Sequence, residues 1–310
     1  MNNVSKKKFT LNQTMLLIII LVVIIALLSI FTDTFMTIGN IRNVFLQIST
    51  AGIITVGMSV LMISGGIDLS AGMLSSAAAC FAAFLFKRDV SMFSCIVICL
   101  VLSTAISALF GWIIAATKTM PFIITLGTMN IFKAAAMIIT DGSDIPASRF
   151  SWAGVTVFKI PLAIVILVAI TVIFALIMRY TKFGRIVYAL GSNETAAYIS
   201  GIKVTGMKVL IYAINGFMVG LSGILLLSRL GTATPLMSDG LEIRAISACA
   251  IGGIALSGGV GSVQSSFLGL LFLGIIQNGM NLLAVPAFYQ YLVNGVIIVV
   301  AVILSQYKKK

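Results

Sequence analysis

Residues 179–208 read RYTKFGRIVYALGSNETAAYISGIKVTGMK and form the longest polar interruption in an otherwise apolar chain. In such a chain this is the place to meet a soluble partner. Asn193 is a good N-cap, Glu194 puts negative charge in the first turn, and Gly201 is a C-terminal stop. The expected helix has about two turns and is roughly 10 Å long. Its body, Thr195 to Ser200, carries Ala196, Ala197, Tyr198 and Ile199 on a rod too short to bury them within itself. Either the rest of the chain covers them or another molecule does.

Around this stretch the composition decides the class. Of 310 residues, 60% are hydrophobic and 9% charged, against roughly 25% charged in a soluble domain. A soluble fold is excluded. Helices of about 20 residues cross the hydrocarbon and satisfy their own backbone groups there, so the chain supplies about ten spans. The expected class is an all-α polytopic membrane protein. A net charge of +12 raises nucleic acid, but the basic residues sit at span ends without aromatic interleaving, which fits membrane orientation and not nucleic-acid binding. Cys80, Cys95, Cys99 and Cys249 all lie in apolar runs and make neither a disulfide framework nor a zinc pattern. There is no histidine, so imidazole ligation and imidazole proton relays are excluded and no metal site is expected.

In order, the apolar runs are 15–31, 44–64, 73–86, 92–117, 122–140, 162–178, 209–227, 245–256, 263–283 and 289–305. The first follows Lys6, Lys7 and Lys8 and resembles a signal peptide, but lacks a small-residue cleavage site and reads as an uncleaved span. Run 245–256 is short for a span and is expected to be broken or re-entrant. Residues 141–160 are a polar connector rich in turn residues. With ten spans and a cytoplasmic N-terminus, twelve basic residues fall inside and seven outside, with Lys133 within a span. Both termini, the tail over 1–14 and the loop over 181–208 are then cytoplasmic, within one domain over 1–310.

An internal repeat appears when GGIDLSAG (65–72) is laid over GGIALSGG (252–259): six of eight positions agree, and Ser75 falls on Ser262. Repeated transporter halves place broken helices at corresponding positions near the substrate path. Small residues also recur simply because they let membrane helices approach. Gly65, Gly66, Gly72, Gly252, Gly253, Gly258 and Gly259 are accordingly hinge or close-packing candidates.

No phosphate loop of the form Gly-x-x-x-x-Gly-Lys-Ser/Thr occurs, so ATP, if used, is bound elsewhere. Ionisable residues at membrane depth are functional candidates. Asp68 either caps the helix that begins near Ser70, or lines a polar cavity or carries a proton; Lys133 can snorkel. Asn278 and Asn281 share a helix face, where interhelical hydrogen bonding competes with substrate contact. Candidates for a translocation path are Asp68, Ser70, Thr128, Asn130, Asn278 and Asn281, beside the further amides Gln277 and Asn294. Amides and hydroxyls far outnumber acids, which suits a neutral polar solute. No paired acids or activated nucleophile can be assembled, which argues against an intramembrane enzyme.

GGIDLSAG (65–72), PFIITLGTM (121–129), GRIVYALGSNETAA (184–197), SGI (200–202), Gly252-Gly253 and NGMNLL (278–283) carry a resemblance, in that order, from Asn40 onward. The chain resembles the permease of bacterial ABC importers of the ribose type, which serve monosaccharides and related small polar solutes. The resemblance implies that Asn193, Glu194, Ala196, Ala197 and Gly201 form the coupling helix, similar to the Glu-Ala-Ala…Gly signature, with Thr195 intervening. It also implies an ATP-binding subunit holding ATP and Mg, an extracytoplasmic solute-binding protein, a second permease chain in a homodimer or related heterodimer, and a multi-pass place in the bacterial inner or plasma membrane. The permease then has no catalytic residue and binds no cofactor itself. The alternative is a secondary transporter coupled through protonation of Asp68.

Overall fold

The computed structural model describes residues 13–152, 155–157 and 160–307. The expected tail over 1–14 falls outside them except for its last two residues, and Lys308, Lys309 and Lys310 also lie outside. Among the described residues there are twelve helices: α1 (Gln13–Phe31), α2 (Ile38–Ile63), α3 (Ala71–Lys87), α4 (Met92–Thr117), α5 (Pro121–Thr140), α6 (Leu162–Tyr180), α7 (Lys182–Ser192), α8 (Glu194–Ile199), α9 (Val204–Leu230), α10 (Leu241–Ile251), α11 (Val263–Leu282) and α12 (Ala287–Tyr307). Each of the ten apolar runs becomes one helix. Among the described residues, seven helices are long and apolar enough to cross a membrane: α1, α2, α4, α5, α6, α9 and α11. With 11 residues, α10 is about 16 Å long, half of a hydrocarbon core of about 30 Å. At that length α10 is too short to cross the hydrocarbon by itself.

The helical class has one addition. Strands β1 (Ile145–Pro146), β2 (Thr156–Val157), β3 (Ile160–Pro161) and β4 (Thr232–Ala233) form two short antiparallel ladders, β1 with β4 and β2 with β3. The first ties the 141–160 connector to the end of α9.

The core is built around α2, in which every residue from Ile48 to Ile63 is buried. A helix apolar on all sides with Gly, Ser and Thr interspersed is one wrapped by other helices; α6, α9, α10 and α11 surround it. Against α4, α9 packs through Gly216 and Gly220, where a side chain would strike Ser103 and Ser107. This pair of small-xxx-small faces lets two backbones approach closely. By contrast, α1 exposes Ile18, Ile19, Val22, Val23 and Leu27, the surface of a helix whose solvent is lipid.

Candidate functional site

The polar stretch folds as two helices where one was expected. Thr181 caps α7, its hydroxyl accepting from Gly184 N, and Gly184, Val187 and Leu190 form its buried face. That spacing of three residues after a threonine cap was the available signal for α7. Helix α8 follows. Asn193 Oδ1 accepts from Ala196 N at 2.9 Å, and Gly201, at φ +84°, closes it: Gly201 N donates to Tyr198 O and Ile202 N to Ala197 O, a Schellman closure. Ala197 alone is buried, at 4% exposure, whereas Tyr198 and Ile199 stand 70% and 78% exposed. Both Glu194 oxygens accept from Lys208 Nζ at 2.8 Å, joining α8 to the second turn of α9.

Both repeated glycine stretches end a helix in the same way. Gly65 N donates to Met62 O and Gly66 N to Leu61 O; Gly253 N donates to Ala250 O and Ile254 N to Cys249 O. Gly65 and Gly253 take φ +85° and +88°, a left-handed cap that suits glycine. This pairs Gly65 with Gly253, one residue away from the sequence overlay. The continuations then diverge: α3 begins six residues after Gly65, and α11 ten after Gly253. Nor are Ser75 and Ser262 equivalent, since Ser75 is buried within α3 and Ser262 caps α11. The repeat is therefore a repeat of the helix break alone.

The longer second loop carries Gly258 and Gly259 to the first break and to the end of α7. Gly259 N donates to Ile63 O at 2.8 Å. A side chain at Gly258 would meet the backbones of Gly191 and Gly65, one at Gly259 would meet Ser192, and one at Gly191 would collide with Ile63 O and Gly259 N. Three segments distant in sequence thus share one backbone junction, two residues before α8. Tyr188 of α7 reinforces it by donating to Gly261 O at 2.8 Å; burial raises its phenol pKa above the ordinary value, which keeps the donor protonated. A cleft of about 440 Å³ lies alongside, lined by Gly65, Gly66, Lys118, Asn193, Glu194 and Lys208 among others.

The remaining glycines serve elsewhere. Gly66 faces Leu61 of the preceding helix, Gly72 lies against Glu242 and Ser238, and Gly252 lets α10 approach Ser265 and Ser266 of α11.

Of the six path candidates Asp68 and Ser70 meet, whereas Thr128, Asn130, Asn278 and Asn281 are each bonded elsewhere. Asp68, 2% exposed, accepts from Ser70 N at 2.9 Å and Ser70 Oγ at 2.6 Å with one oxygen, and from Asn215 Nδ2 at 2.8 Å with the other. It holds the start of α3 against α9, beside Tyr212, whose hydroxyl donates to Ile67 O at 3.2 Å. Asn278 exchanges two amide hydrogen bonds with Asn40 of α2, at 2.8 and 2.9 Å. Asn281 accepts from Gln290 of α12. Thr128 and Asn130 donate to carbonyls of their own helix, at Thr125 and Leu126. A separate cavity of about 380 Å³ opens between α10, α11 and α12, and Asp239, Arg244, Ser247, Gln277, Tyr291 and Asn294 contribute to its lining. Arg244, Ser247 and Tyr291 carry no sequence motif; they meet only through the packing of α10 on α11 and α12. Among the described residues no group of three or more His, Cys, Asp or Glu can hold a metal ion.

A family described as "Branched-chain amino acid transport system / permease component" matches residues 40–302. The chain is 36% identical over 290 residues to the ribose import permease protein RbsC of Bacillus subtilis (strain 168), covering 92% of this chain and 90% of that protein. It is 34% identical over 292 residues to RbsC of Escherichia coli (strain K12), covering 92% and 91%. Against the L-arabinose transport system permease protein AraH of the same organism, identity is 35% over 285 residues, covering 91% and 87%. No solved structure matches.

Proposed function

We propose, because the chain belongs to the branched-chain amino acid transport system / permease component family, that it is the membrane-spanning subunit of an ATP-driven ABC importer carrying a monosaccharide or a related small polar solute into the cell. Similar proteins named as ribose and L-arabinose permeases support the sugar. The chain acts as one permease domain of about ten spans in the bacterial inner or plasma membrane, with both termini cytoplasmic. It supplies a path and no catalytic group. A separate subunit binds ATP with Mg and hydrolyses it, a solute-binding protein delivers cargo outside, and a second permease chain completes the conduit.

One observation carries the mechanism: α8, with Tyr198 and Ile199 exposed, is joined through Gly191 to both helix breaks and through Lys208 to α9. The loop over 181–208 is the coupling loop. A groove on the ATPase covers Tyr198 and Ile199, and closure of the ATPase pulls α8. Because the junction contacts are backbone to backbone, side-chain rotation cannot absorb the displacement; it passes to Gly65, just beyond the end of α2, and to Gly258-Gly259 in the loop that follows α10. Along α9, Lys208 and Asn215 are seven residues apart, about 10 Å, so the helix that grips α8 also grips the Asp68 turn deeper in the bundle. Movement of these broken elements alternates the opening of the path.

Vesicle uptake tests this reading. Dependence on the co-expressed ATPase and inhibition by vanadate are expected; collapse by a protonophore with ATP present would overturn it in favour of proton coupling. The proton-coupled alternative has little to work with at Asp68, whose two oxygens are already committed to Ser70 and Asn215.

A further inference from the structure

We infer that the cavity between α10, α11 and α12 is where the permease holds its solute, and that its polar groups select a neutral polyhydroxylated ring. The inference rests on the permease reading and names the site within it. The cavity, at about 380 Å³, falls in the range of roughly 300–1,000 Å³ that suits small-molecule sites.

Its chemistry is balanced in a particular way. Arg244 offers only donors and Asp239 only acceptors, and both line the cavity. They do not neutralise one another, because Lys208–Glu194 is the only ion pair among the described residues. An anionic solute would be attracted by Arg244 and repelled by Asp239, whereas a sugar hydroxyl both donates and accepts and can satisfy each. Gln277 and Asn294 add amides, held in place because Asn294 Nδ2 donates to Gln277 Oε1 at 3.2 Å and Gln277 pairs with Gln290. Leu241, Ile243, Leu273 and Ile298 supply apolar walls for the C–H faces of the ring. Tyr291, 78% exposed, adds an aromatic side chain with a polar tip to the lining.

The placement also links the site to the lever. Arg244 lies on α10, eight residues before Gly252 and thus about 12 Å from the break. The loop that follows is the one whose Gly258 and Gly259 rest on Gly191. A pull on α8 therefore reaches the wall that holds the solute.

The test uses the assembled importer, with its ATPase and binding protein, in proteoliposomes, and D-ribose and L-arabinose as probes. Cys80, Cys95, Cys99 and Cys249 are all buried, so an introduced thiol reacts over a low background. In the Asn294→Cys variant, a small charged methanethiosulfonate should label the thiol, and D-ribose with binding protein should slow labelling at least fivefold. A Ser143→Cys control, exposed in the polar 141–160 connector and outside the cavity lining, should label at the same rate with or without sugar. Arg244→Met and Asn294→Leu should each lower the maximal ribose uptake rate at least tenfold, with normal amounts of chain in the membrane and normal co-purification of the ATPase. Intact wild-type ribose uptake with an unprotected thiol at 294, or with both substitutions transporting within twofold of wild type, overturns the site while the permease function stands. Vanadate-sensitive transport confined to an anionic solute overturns the polyol selectivity. Absence of any ATPase-dependent transport overturns the function on which the site rests.

Discussion

Gly258→Ala is the sharpest test of the junction between the two helix breaks and α7. Gly258 sits at φ +82°, and a Cβ there would lie 2.9 Å from Gly191 Cα, Gly191 O and Gly65 Cα. All three neighbours are backbone, so no rotamer change relieves them; the segments must part by about 0.5 Å to reach the 3.4 Å of ordinary contact. Two costs add. The left-handed conformation costs alanine about 1–2 kcal/mol, and overpacking a close-packed site costs about 1–3 kcal/mol more. Gly142→Ala separates them, since Gly142 also takes a positive φ, +68°, but has nothing within 4 Å of its Cβ position. Thermal unfolding of the detergent-solubilised chain should place Gly142→Ala about 1–2 kcal/mol below wild type and Gly258→Ala about 2–5 kcal/mol below it. In vesicles Gly142→Ala should transport normally, while Gly258→Ala hydrolyses ATP with reduced uptake per ATP. Equal destabilisation of the two variants, with uptake per ATP unchanged in Gly258→Ala, would refute the junction as the transmitting contact.

Three further outcomes are expected. Ala197→Arg, at the one buried position of α8, should abolish most uptake and weaken co-purification of the ATPase without reducing membrane insertion; unchanged uptake would count against the coupling loop. Asn40→Leu strands the buried Asn278 amide and should cost about 1–3 kcal/mol, whereas Asn40→Leu with Asn278→Leu should recover much of it; additive losses in that double-mutant cycle would show that the pair does not act as a unit. Asp68→Asn should retain substantial uptake, because flipping the Asn215 amide lets its Oδ1, which has no partner, accept from the new side chain; complete loss of uptake in a well-inserted protein would revive proton coupling.

How much of this was legible in the sequence follows from what each signal depends on. The apolar runs foretold ten helices because a span must satisfy its own backbone, a requirement that leaves a mark in every stretch. The α8 caps were equally plain, since Asn193 and Gly201 act within a single turn. Helix α7 escaped because Lys182, Arg185 and the surrounding polarity obscure a buried face of only Gly184, Val187 and Leu190. The path candidates were chosen for polarity alone, and polarity cannot distinguish a group aimed at a solute from one aimed at another helix. Asn278 meets Asn40 across 238 positions of sequence and Asp68 meets Asn215 across 147, distances over which no local pattern speaks.

The glycine repeat shows the same division from the other side. Six matching residues pointed to two equivalent turns, yet the equivalence extends only as far as the helix-ending hydrogen bonds, which are local. What the second loop does with its four additional residues is set by where α7 ends, and it uses them to bring Gly258 and Gly259 onto Gly191. The first break, having no such extension, is instead fastened through Asp68 to α9. Two similar turns are thereby given different attachments, one to the segment leading into α8 and one to the helix that grips Glu194. A pull on α8 then acts on both breaks at once, by two routes that the same six residues could not have distinguished.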